Sequence, residues 1–523
     1  MRVTNSMINK TSMRNMNNNK VSVDALNTQM TTQKKINRPS EDPVIAIRAL
    51  RLRSNLNEVN QYYEKNIPDA ESWLELTETA LTNMKDIVTQ VYKQCVNGST
   101  DTLTASDRDA ILQNLQALRT QIYKEGNADS AGRTIFTGFK TQSQLTFETD
   151  EKDTTYNITE KVSFADIEEK KYYANQVTVP TDETAVQEGV AIEELPQEVT
   201  NFRLRLSYSS IQDAEGNPND ITLTMKNEYN MDVPLTYTDF NGVEHEVTVT
   251  TKAYADWAAG EVGPDGKAPV ETKFAVGDDE ALFIPETGEI IFGKNISEGL
   301  KGNKKEFSVS YSKTGFAEGE IKPEHYFDCE NVTDPYNPIE YKKENQEIKY
   351  TVAFDQTIVV NTQASDVFNA SIGRDVDELT DSVKAAIAAH EKVDKIKEMM
   401  EQEQYADPEM QEKLSEWLEA AEKEATYMDD NMQKLYSAAI GNFQGYLDDV
   451  SLAITDVGSK GDRLKLTKTR VSNQQTSFEK LQSNNEDREL SDIIIDYTSA
   501  YTAYQASLMA SSKANQQTLL NYL

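Results

Sequence analysis

The chain has 523 residues, only 38% of them hydrophobic, and a formal net charge of -34 at pH 7. This length predicts several structural units, and the acidic balance argues against nucleic acid and anionic membranes, so the partners we expect are proteins. No run approaches the roughly 18 apolar residues that span a bilayer, which argues against membrane insertion. The start lacks the apolar core of a secretory signal, which argues against export by the general secretory pathway.

The first zone, residues 1–141, has a helical pattern. Asp42 before Pro43 predicts a helix start, because aspartate caps free amide groups and proline at the first helical position loses no hydrogen bond. Pro68 is expected to kink or divide the helix that follows. Side chains at alternating steps of three and four predict one inward face, like the seam of a coiled coil: Leu74, Thr77, Leu81, Met84, Val88, Val91 and Cys95.

A second helix is predicted to start at the capping pair of Thr104 and Asp107 and to pack back on the first as an antiparallel hairpin. Its inward side chains are expected to be Ile111, Leu115, Leu118 and Ile122.

The second zone, residues 142–362, alternates with a period of two, as strands do. Turn signals such as Asn241-Gly242 and Thr287-Gly288 separate the runs. We therefore expect one or two antiparallel β domains inserted between the helical ends. The predicted strands are Phe202–Tyr208, Ile221–Met225, Glu246–Thr250, Phe307–Tyr311 and Ile348–Phe354.

In the third zone, residues 363–523, the helical pattern returns. Asp407 before Pro408 repeats the capping logic of the first zone. Glutamate and lysine cover the outer side of the helix predicted to follow. Its inward face is expected to be Met410, Leu414, Trp417 and Ala421.

The two ends of the chain are short of charge in a strongly charged protein. Residues 490–523 contain only Asp492, Asp496 and Lys513, so a helix there lacks the charged outer face that solubilises an ordinary amphipathic helix. We expect both ends to be disordered in the monomer and ordered by packing against further copies. The predicted assembly residues are Met16, Val23, Leu26 and Met30 at one end and Leu490, Ile494, Tyr497, Tyr501, Tyr504, Leu508, Leu519 and Leu523 at the other.

These patterns predict an α+β multidomain chain. Long helical regions at the two ends would flank an inserted antiparallel β-rich domain. The predicted division is an assembly segment at 1–41, helical rod at 42–141, variable β-rich domain at 142–362, helical rod at 363–489 and an assembly helix at 490–523.

No catalytic, cofactor or metal site is predicted. The three histidines, His245, His325 and His390, are isolated in sequence, and a zinc protease needs two histidines one helical turn apart. Cys95 on the helical seam and Cys329 in a loop-like region have no metal or redox spacing, although a disulfide between them stays open.

Four stretches carry a resemblance to a known family. These are Met1-Arg2-Val3-Thr4-Asn5, the run Ile36 to Pro43, the turn Gly132 to Gly138, and the ending from Ala503 to Leu523. Together they resemble the bacterial flagellin superfamily over roughly three hundred residues. The residues of the two internal motifs that we single out are Pro39, Ser40, Asp42 and Pro43, then Gly132, Arg133, Phe136 and Gly138.

Within the superfamily the chain is most similar to the hook-filament junction members, the hook-associated proteins of type 3. Filament flagellins usually have Asp-Asp-Ala-Ala-Gly where this chain has Glu41-Asp42-Pro43-Val44-Ile45. Glu41 departs mildly from the junction members, which usually have aspartate there.

The resemblance implies a rod in which the long N- and C-terminal helices form an antiparallel coiled coil or helical bundle, with the inserted β-rich domain projecting outward. It also implies an extracellular subunit of the bacterial flagellum, exported through the flagellar type III apparatus and held beforehand by a cytoplasmic export chaperone. It implies a ring of copies between the first hook-filament junction protein and the flagellin filament. Three alternatives stay open: a filament flagellin, a metalloprotease-like enzyme in the middle zone, and an adhesin using the aromatic residues Tyr326-Phe327 and Tyr336 to Tyr341.

Overall fold

The computed structural model of the protein describes residues 5–100, 103–187, 195–213, 217–227, 229–239, 241–261, 269–303 and 306–516. Long helices occupy the terminal regions and antiparallel strands dominate the centre, as the sequence predicts. The helices are α1 (Asn5–Thr32), α2 (Pro43–Gln61), α3 (Ile67–Gly98), α4 (Ala105–Ile122), α5 (Glu183–Gln187), α6 (Tyr254–Ala259), α7 (Lys294–Asn303), α8 (Ser371–Glu401), α9 (Pro408–Glu486) and α10 (Leu490–Gln516).

Most of the described strands are short, and three of them have nine or more residues. They are β1 (Asp129–Ser130), β2 (Arg133–Thr134), β3 (Glu151–Ser163), β4 (Ile167–Ala174), β5 (Gln197–Arg205), β6 (Ile221–Lys226), β7 (Asp232–Pro234), β8 (Thr236–Thr238), β9 (Glu244–Glu246), β10 (Val249–Thr251), β11 (Ala281–Ile284), β12 (Glu289–Phe292), β13 (Glu306–Phe316), β14 (Asp328–Asn331), β15 (Ile339–Tyr341), β16 (Lys349–Ala353) and β17 (Gln356–Val359).

Side-chain caps start the helices where the sequence predicts them. The Asp42 carboxylate accepts hydrogen bonds from the backbone amides of Val44 and Ile45 at the start of α2. Thr104 and Asp107 form a reciprocal capping box on α4. Asp407 accepts from the first turn of α9. Each cap satisfies amide groups that a helix end leaves without intrahelical partners.

The interruption predicted at Pro68 takes the form of a π-helical turn. Residues Tyr62–Asn66 form this turn between α2 and α3, and the amide of Ile67 donates to the carbonyl of Tyr62, five residues back. Proline has no amide hydrogen, so a regular helix cannot continue its hydrogen bonds through Pro68. The extra residue in the turn accommodates the defect without ending the helical path.

The predicted inward faces of α3 and α4 are confirmed. All seven seam residues from Leu74 to Cys95 are buried, as are the four inward residues of α4. On α9, Met410, Leu414 and Ala421 are buried and Trp417 is half-buried. The helical period therefore located the buried side of α3, α4 and the first turns of α9.

The chain divides into two compact units, and they differ strongly in charge. Unit 1 comprises residues 1–72, 349–359 and 460–523, and unit 2 comprises residues 73–348 and 360–459. Unit 1 has 20 lysines and arginines against 15 acidic residues, whereas unit 2 has 33 against 72. The acidity of the whole chain is therefore confined to unit 2.

Hydrogen bonds between residues far apart in the sequence hold unit 1 together. The side chain of Gln475 in α9 donates to Asn60 in α2 at 3.0 Å, and Asn485 donates to the carbonyl of Ile45 at 3.2 Å. The hairpin of β16 and β17 joins the same unit, because Asn66 donates to the carbonyl of Thr351 at 2.7 Å. The α2 helix thus packs against the last third of α9.

Unit 2 contains the two large sheets. One has the order β15-β14-β3-β13-β6-β7 and the other the order β10-β11-β12-β5-β4. One core cluster surrounds Trp257, whose ring meets Phe274 edge-on at 5.0 Å and whose indole donates to the carbonyl of Ala275 at 3.0 Å. Aromatic pairs of this geometry pack well and keep the polar indole nitrogen satisfied.

Four strand predictions are confirmed and three details are wrong. The single strand expected at Glu246–Thr250 is two strands, β9 and β10, on either side of Val247-Thr248. The pair β10 and β11 is parallel, in a region expected to be antiparallel throughout. Cys329 lies on β14 and is not in a loop. The turns at Gly242 and Gly288 are present, both with positive φ.

A buried ionic network fixes α8 against the second sheet. Arg203 on β5 is almost fully buried and pairs with Glu289 at 2.5 Å and with Glu378 at 2.6 Å. Burial alone would raise the pKa of Glu289, but Lys170 and Arg203 lower it to about 2. Such a network is stable only when every buried charge has a partner, so it orients α8 specifically.

Candidate assembly surface

Helices α1 and α10 form an antiparallel pair inside unit 1. The side chain of Asn19 donates to the carbonyl of Ala503 at 3.4 Å, and Arg488 donates to the side chain of Gln29 at 2.9 Å. These contacts join residues more than 450 positions apart in the chain. Helices α1 and α10 therefore lie side by side from Asn19 to Gln29.

The predicted residues of α1 lie on one face of the helix. Met16, Val23, Leu26 and Met30 are all half-buried, while most residues between them are exposed. Because α10 is the helix packed along α1, this is the face toward α10. The spacing of seven, three and four residues is the period of a two-helix seam.

The predicted stripe of α10 divides into two faces. Tyr497 and Tyr504 are half-buried on the side toward α1. Leu490, Ile494, Tyr501 and Leu508 are exposed, because a single partner helix covers only one side. Leu519 and Leu523 lie outside the described residues.

Ile493 is the interface residue that the sequence interpretation missed. It is fully buried, and it starts the run Ile493, Tyr497, Ala500, Tyr504 on the α1 side at steps of four, three and four. The run Leu490, Ile494, Tyr497 has a similar period, so spacing alone did not separate the two. Residue type did not separate them either, because leucine and isoleucine bury similar apolar areas.

The outward side of α10 presents a shallow apolar groove. Ile494, Ile495, Thr498, Thr502 and Ala506 line it, with no charged side chain among its lining residues. Tyr497 and Tyr501 stack at the side of it, with parallel rings 6.0 Å apart. An uncharged apolar face of this kind is typical of a surface that another chain covers.

A short joint links this helix pair to the rest of unit 1. The connection after α1 and the connection before α10 meet in one antiparallel bridge, Lys34 with Asp487. The amide of Lys35 donates to the carbonyl of Glu486 at 2.7 Å, and the amide of Arg488 donates to the carbonyl of Gln33 at 3.0 Å. These two backbone hydrogen bonds therefore hold the connection after α1 against the connection before α10.

Charged side chains reinforce the joint. The Glu486 carboxylate accepts from Arg53 at 2.8 and 2.5 Å, and the Arg53 hydrogen bond holds the pKa of that carboxyl below its usual range. The hydrogen bond between Lys34 and Asp487 raises the pKa of the amine and lowers that of the carboxyl. All four groups are therefore charged near neutral pH.

The motif residues at 39–43 belong to the same joint. Pro39 and Ser40 form the turn that precedes α2, and the amide of Glu41 donates to the carbonyl of Arg38 at 3.0 Å. Asp42 and Pro43 are the cap and the first residue of α2. This motif therefore sets where α2 begins.

The second motif lies in unit 2. Gly132 and Gly138 have positive φ, and the Arg133 guanidinium lies 5.2 Å from the centre of the Trp73 ring. Phe136 is buried edge-on against Phe368 with ring centres 4.9 Å apart. These residues close a tight, packed turn, and the structure does not bring them together with the motif at 39–43 in one unit.

The histidines lie apart from one another. His245 is 3.3 Å from Asp239, and His390 is 2.8 Å from Asp429, which also pairs with Arg108. His325 is buried, 3.1 Å from the carbonyl of Gln144. The described part of the chain contains no group of three or more histidine, cysteine or acidic side chains that could hold a metal ion.

The aromatic residues considered for an adhesin are only partly exposed. Tyr326 is buried and Phe327 half-buried, so the expectation of an exposed aromatic pair there is wrong, whereas Tyr336 is exposed.

Cys95 and Cys329 are both free thiols. Burial raises the pKa of each thiol to about 12. Among the described residues, no helix combines the length and apolar composition needed to cross a membrane.

Two family models match the ends of the chain. The bacterial flagellin N-terminal helical region matches residues 3–141, and the bacterial flagellin C-terminal helical region matches residues 440–523. These matches contain α1 to α4 at one end, and α10 with the second half of α9 at the other. Both helices of the candidate surface therefore lie within matched regions.

Two curated relatives are similar over 144 residues. The flagellar hook-associated protein 3 of Salmonella typhimurium is 29% identical and that of Escherichia coli K12 is 30% identical. In each case the alignment covers 27% of this chain and 45% of the relative, less than half of the relative's own length.

Solved structures give a weaker likeness. A putative flagellar hook-associated protein from Vibrio parahaemolyticus is 12% identical, with a TM-score of 0.33 over 86% of this chain and 100% of the other. The flagellar hook-associated protein 3 from Legionella pneumophila is 11% identical, with a TM-score of 0.29 over 83% and 97%. Likeness at this level does not establish a shared fold. The family matches show that both ends of this chain are similar to the helical regions of the bacterial flagellins.

Proposed function

We propose that this chain is a structural subunit of the bacterial flagellum that polymerises at the hook-filament junction. It would act as an adaptor between the first junction protein and the flagellin filament. The observation that carries the proposal is the α1 and α10 pair, which lies inside the two flagellin-type regions and leaves an apolar, nearly uncharged side uncovered. The relatives named flagellar hook-associated protein 3 support the junction over the filament.

The physical argument is the cost of exposed apolar surface. Ile494, Ile495 and Leu508 on α10 face outward together with Met7 and Met13 on α1. Burying a side chain of this size stabilises an assembly by about 1.5–3 kcal/mol. Several such residues on one helix pair favour packing among copies.

The terminal pair is proposed to become ordered on polymerisation. Residues Met13 to Lys20 are poor helix formers, and α1 has little partner surface apart from α10. Circular dichroism of monomer and polymer tests this, with higher helicity expected in the polymer. Equal helicity in both would contradict it.

Export and partners complete the proposal. The subunit would leave the cell through the flagellar type III apparatus after release from a cytoplasmic export chaperone. It would then close a ring with copies of itself, the first junction protein on one side and flagellin on the other. A filament flagellin is the second candidate, since both family models describe flagellins.

A tag in an exposed turn distinguishes these candidates. We would insert a short epitope in the turn at Asp334 to Asn337, where Tyr336 is 92% exposed, and image gold-labelled cells by electron microscopy. One cluster of label between hook and filament is expected. Label along the whole filament would make the chain a flagellin, and no flagellar label would reject both roles.

A further inference from the structure

The outer face of α2 carries an apolar stripe that unit 1 does not cover. Val44, Ile47 and Leu50, spaced three residues apart, are 67%, 54% and 65% exposed, whereas Ala46 and Ala49 between them are buried. An amphipathic helix normally places charged residues there. The inner face of α2 already packs on α9, so the stripe needs a partner from outside the unit.

Arginines flank this stripe. Arg48 and Arg51 are exposed, and within the described part of the chain neither has an ion-pair partner. From the start of α2 at Pro43 to Asn57 the helix has no acidic residue. The partner that fits is therefore an acidic surface with at least one exposed apolar side chain.

A segment of α9 in unit 2 has that chemistry. Leu452 is 71% exposed, and Asp448 and Asp449, one turn before it, are exposed as well. Gly441 and Gly445 lie on the same side of the helix, and a Cβ added at either would meet open space. Glycine weakens a helix, but it also allows another helix to approach the backbone closely.

We propose that the α2 stripe of one copy binds the Asp448-Asp449-Leu452 face of a second copy. Leu452 would insert beside Ile47 and Leu50, while Arg48 and Arg51 would meet the two aspartates. The proposal rests on the proposed function, because it names a contact between neighbouring copies of the polymer. The opposite charges of unit 1 and unit 2 support a contact between different units of different copies.

Cysteine cross-linking tests the contact in the full chain. One variant carries Ile47→Cys and another Leu452→Cys, and the native Cys95 and Cys329 are buried and unreactive. The two are mixed under polymerising conditions and oxidised. A disulfide-linked dimer is expected from the mixture. A mixture of Ile47→Cys with Tyr229→Cys, another exposed position, is the matched control.

Charge reversal provides the second test. Arg48→Glu with Arg51→Glu should lower polymer yield about tenfold, since like charges would then face each other. Adding Asp448→Lys and Asp449→Lys should restore it. All four residues are exposed, so the circular dichroism of each variant should match the unaltered chain.

The outcomes separate this contact from the proposed function. No dimer above the control, or no rescue by the second reversal, overturns the contact even when the gold label marks the junction. Loss of incorporation in cells without cross-linking between copies would mean that another protein covers the stripe, which also overturns it. A dimer with rescue supports the contact, even when the label lies elsewhere and the junction role fails.

Discussion

Arg53 and Glu486, 433 residues apart in the chain, form a two-point ion pair with Nε to Oε1 at 2.8 Å and Nη2 to Oε2 at 2.5 Å. Glu486 is almost fully buried, whereas about half of the Arg53 side chain is exposed. The pair fixes the end of α9 on α2 at the point where the terminal helix pair begins.

Removing the arginine should therefore destabilise unit 1. Arg53→Met leaves the Glu486 carboxylate buried, with only Lys34 at 3.6 Å to offset its charge. We expect a loss of about 1 kcal/mol in the free energy of unfolding, less than a buried charged hydrogen bond contributes, because Arg53 is partly solvated. Urea titration followed by circular dichroism measures it. Arg51→Met, on the same helix but exposed, should leave the midpoint unchanged, and an equal loss in both would refute the assignment.

His325 should make the stability of unit 2 depend on pH. Burial lowers its pKa to about 4, from 6.5 in the unfolded chain, in spite of the nearby Glu324. Between these values the unfolded chain binds a proton that the folded chain does not. The free energy of unfolding therefore contains the full contribution of neutral His325 above pH 6.5. That contribution falls by about 3 kcal/mol as the pH approaches 4.

The measurement is the urea midpoint at pH 7.5 and at pH 4.5. His325→Gln should reduce the difference between the two midpoints, and His245→Gln, at an exposed histidine, should not. An unchanged difference in the His325 variant would show that other groups set the pH dependence.

Phe136 should matter far more than a phenylalanine three residues away. Phe136 is buried against Phe368, and Phe136→Ala should cost about 3–5 kcal/mol through lost burial and the cavity left behind. Phe139→Ala should change little, because Phe139 is 64% exposed. Thermal unfolding of both variants compares them, and similar losses would mean that the motif turn is not packed as described.

The two faces of α10 should respond differently to a charge. Tyr501→Asp with Leu508→Asp leaves the monomer intact, because both positions are exposed, but blocks polymerisation by burying unpaired carboxylates between copies. Ile493→Asp should also weaken the pairing of α1 with α10 itself, since Ile493 is fully buried. Sedimentation measures polymerisation and proteolysis of the termini measures the pairing. Normal polymerisation of the double variant would exclude the outward face as an assembly surface.

The helical regions were predictable because their packing follows one period. From Leu74 to Cys95 each inward residue recurs every three or four positions, and all are buried in the structure. The caps at Asp42 and Thr104 follow from local hydrogen bonding alone. Information of this kind lies within a few neighbouring residues, so it needs no knowledge of the tertiary fold.

The long strand β3 was missed because its buried face is partly polar. Tyr156, Ile158 and Glu160 point inward, and the Glu160 carboxylate accepts hydrogen bonds from Tyr311 and Ser207. A buried glutamate hides the alternation of apolar and polar residues. In α10, similarly, the division between inward and outward faces depends on where α1 lies, which the sequence of α10 does not specify.

The pairing of Asn19 with Ala503 across 484 residues also has a consequence for the order of folding. During synthesis or passage through a narrow channel from the N-terminus, α1 has no partner until α10 has followed it. A chain cut anywhere before residue 490 would leave Met16, Val23, Leu26 and Met30 uncovered and would lack the outward face of α10. If the proposed assembly role holds, only chains that carry both ends would present the complete α1 and α10 pair to neighbouring copies.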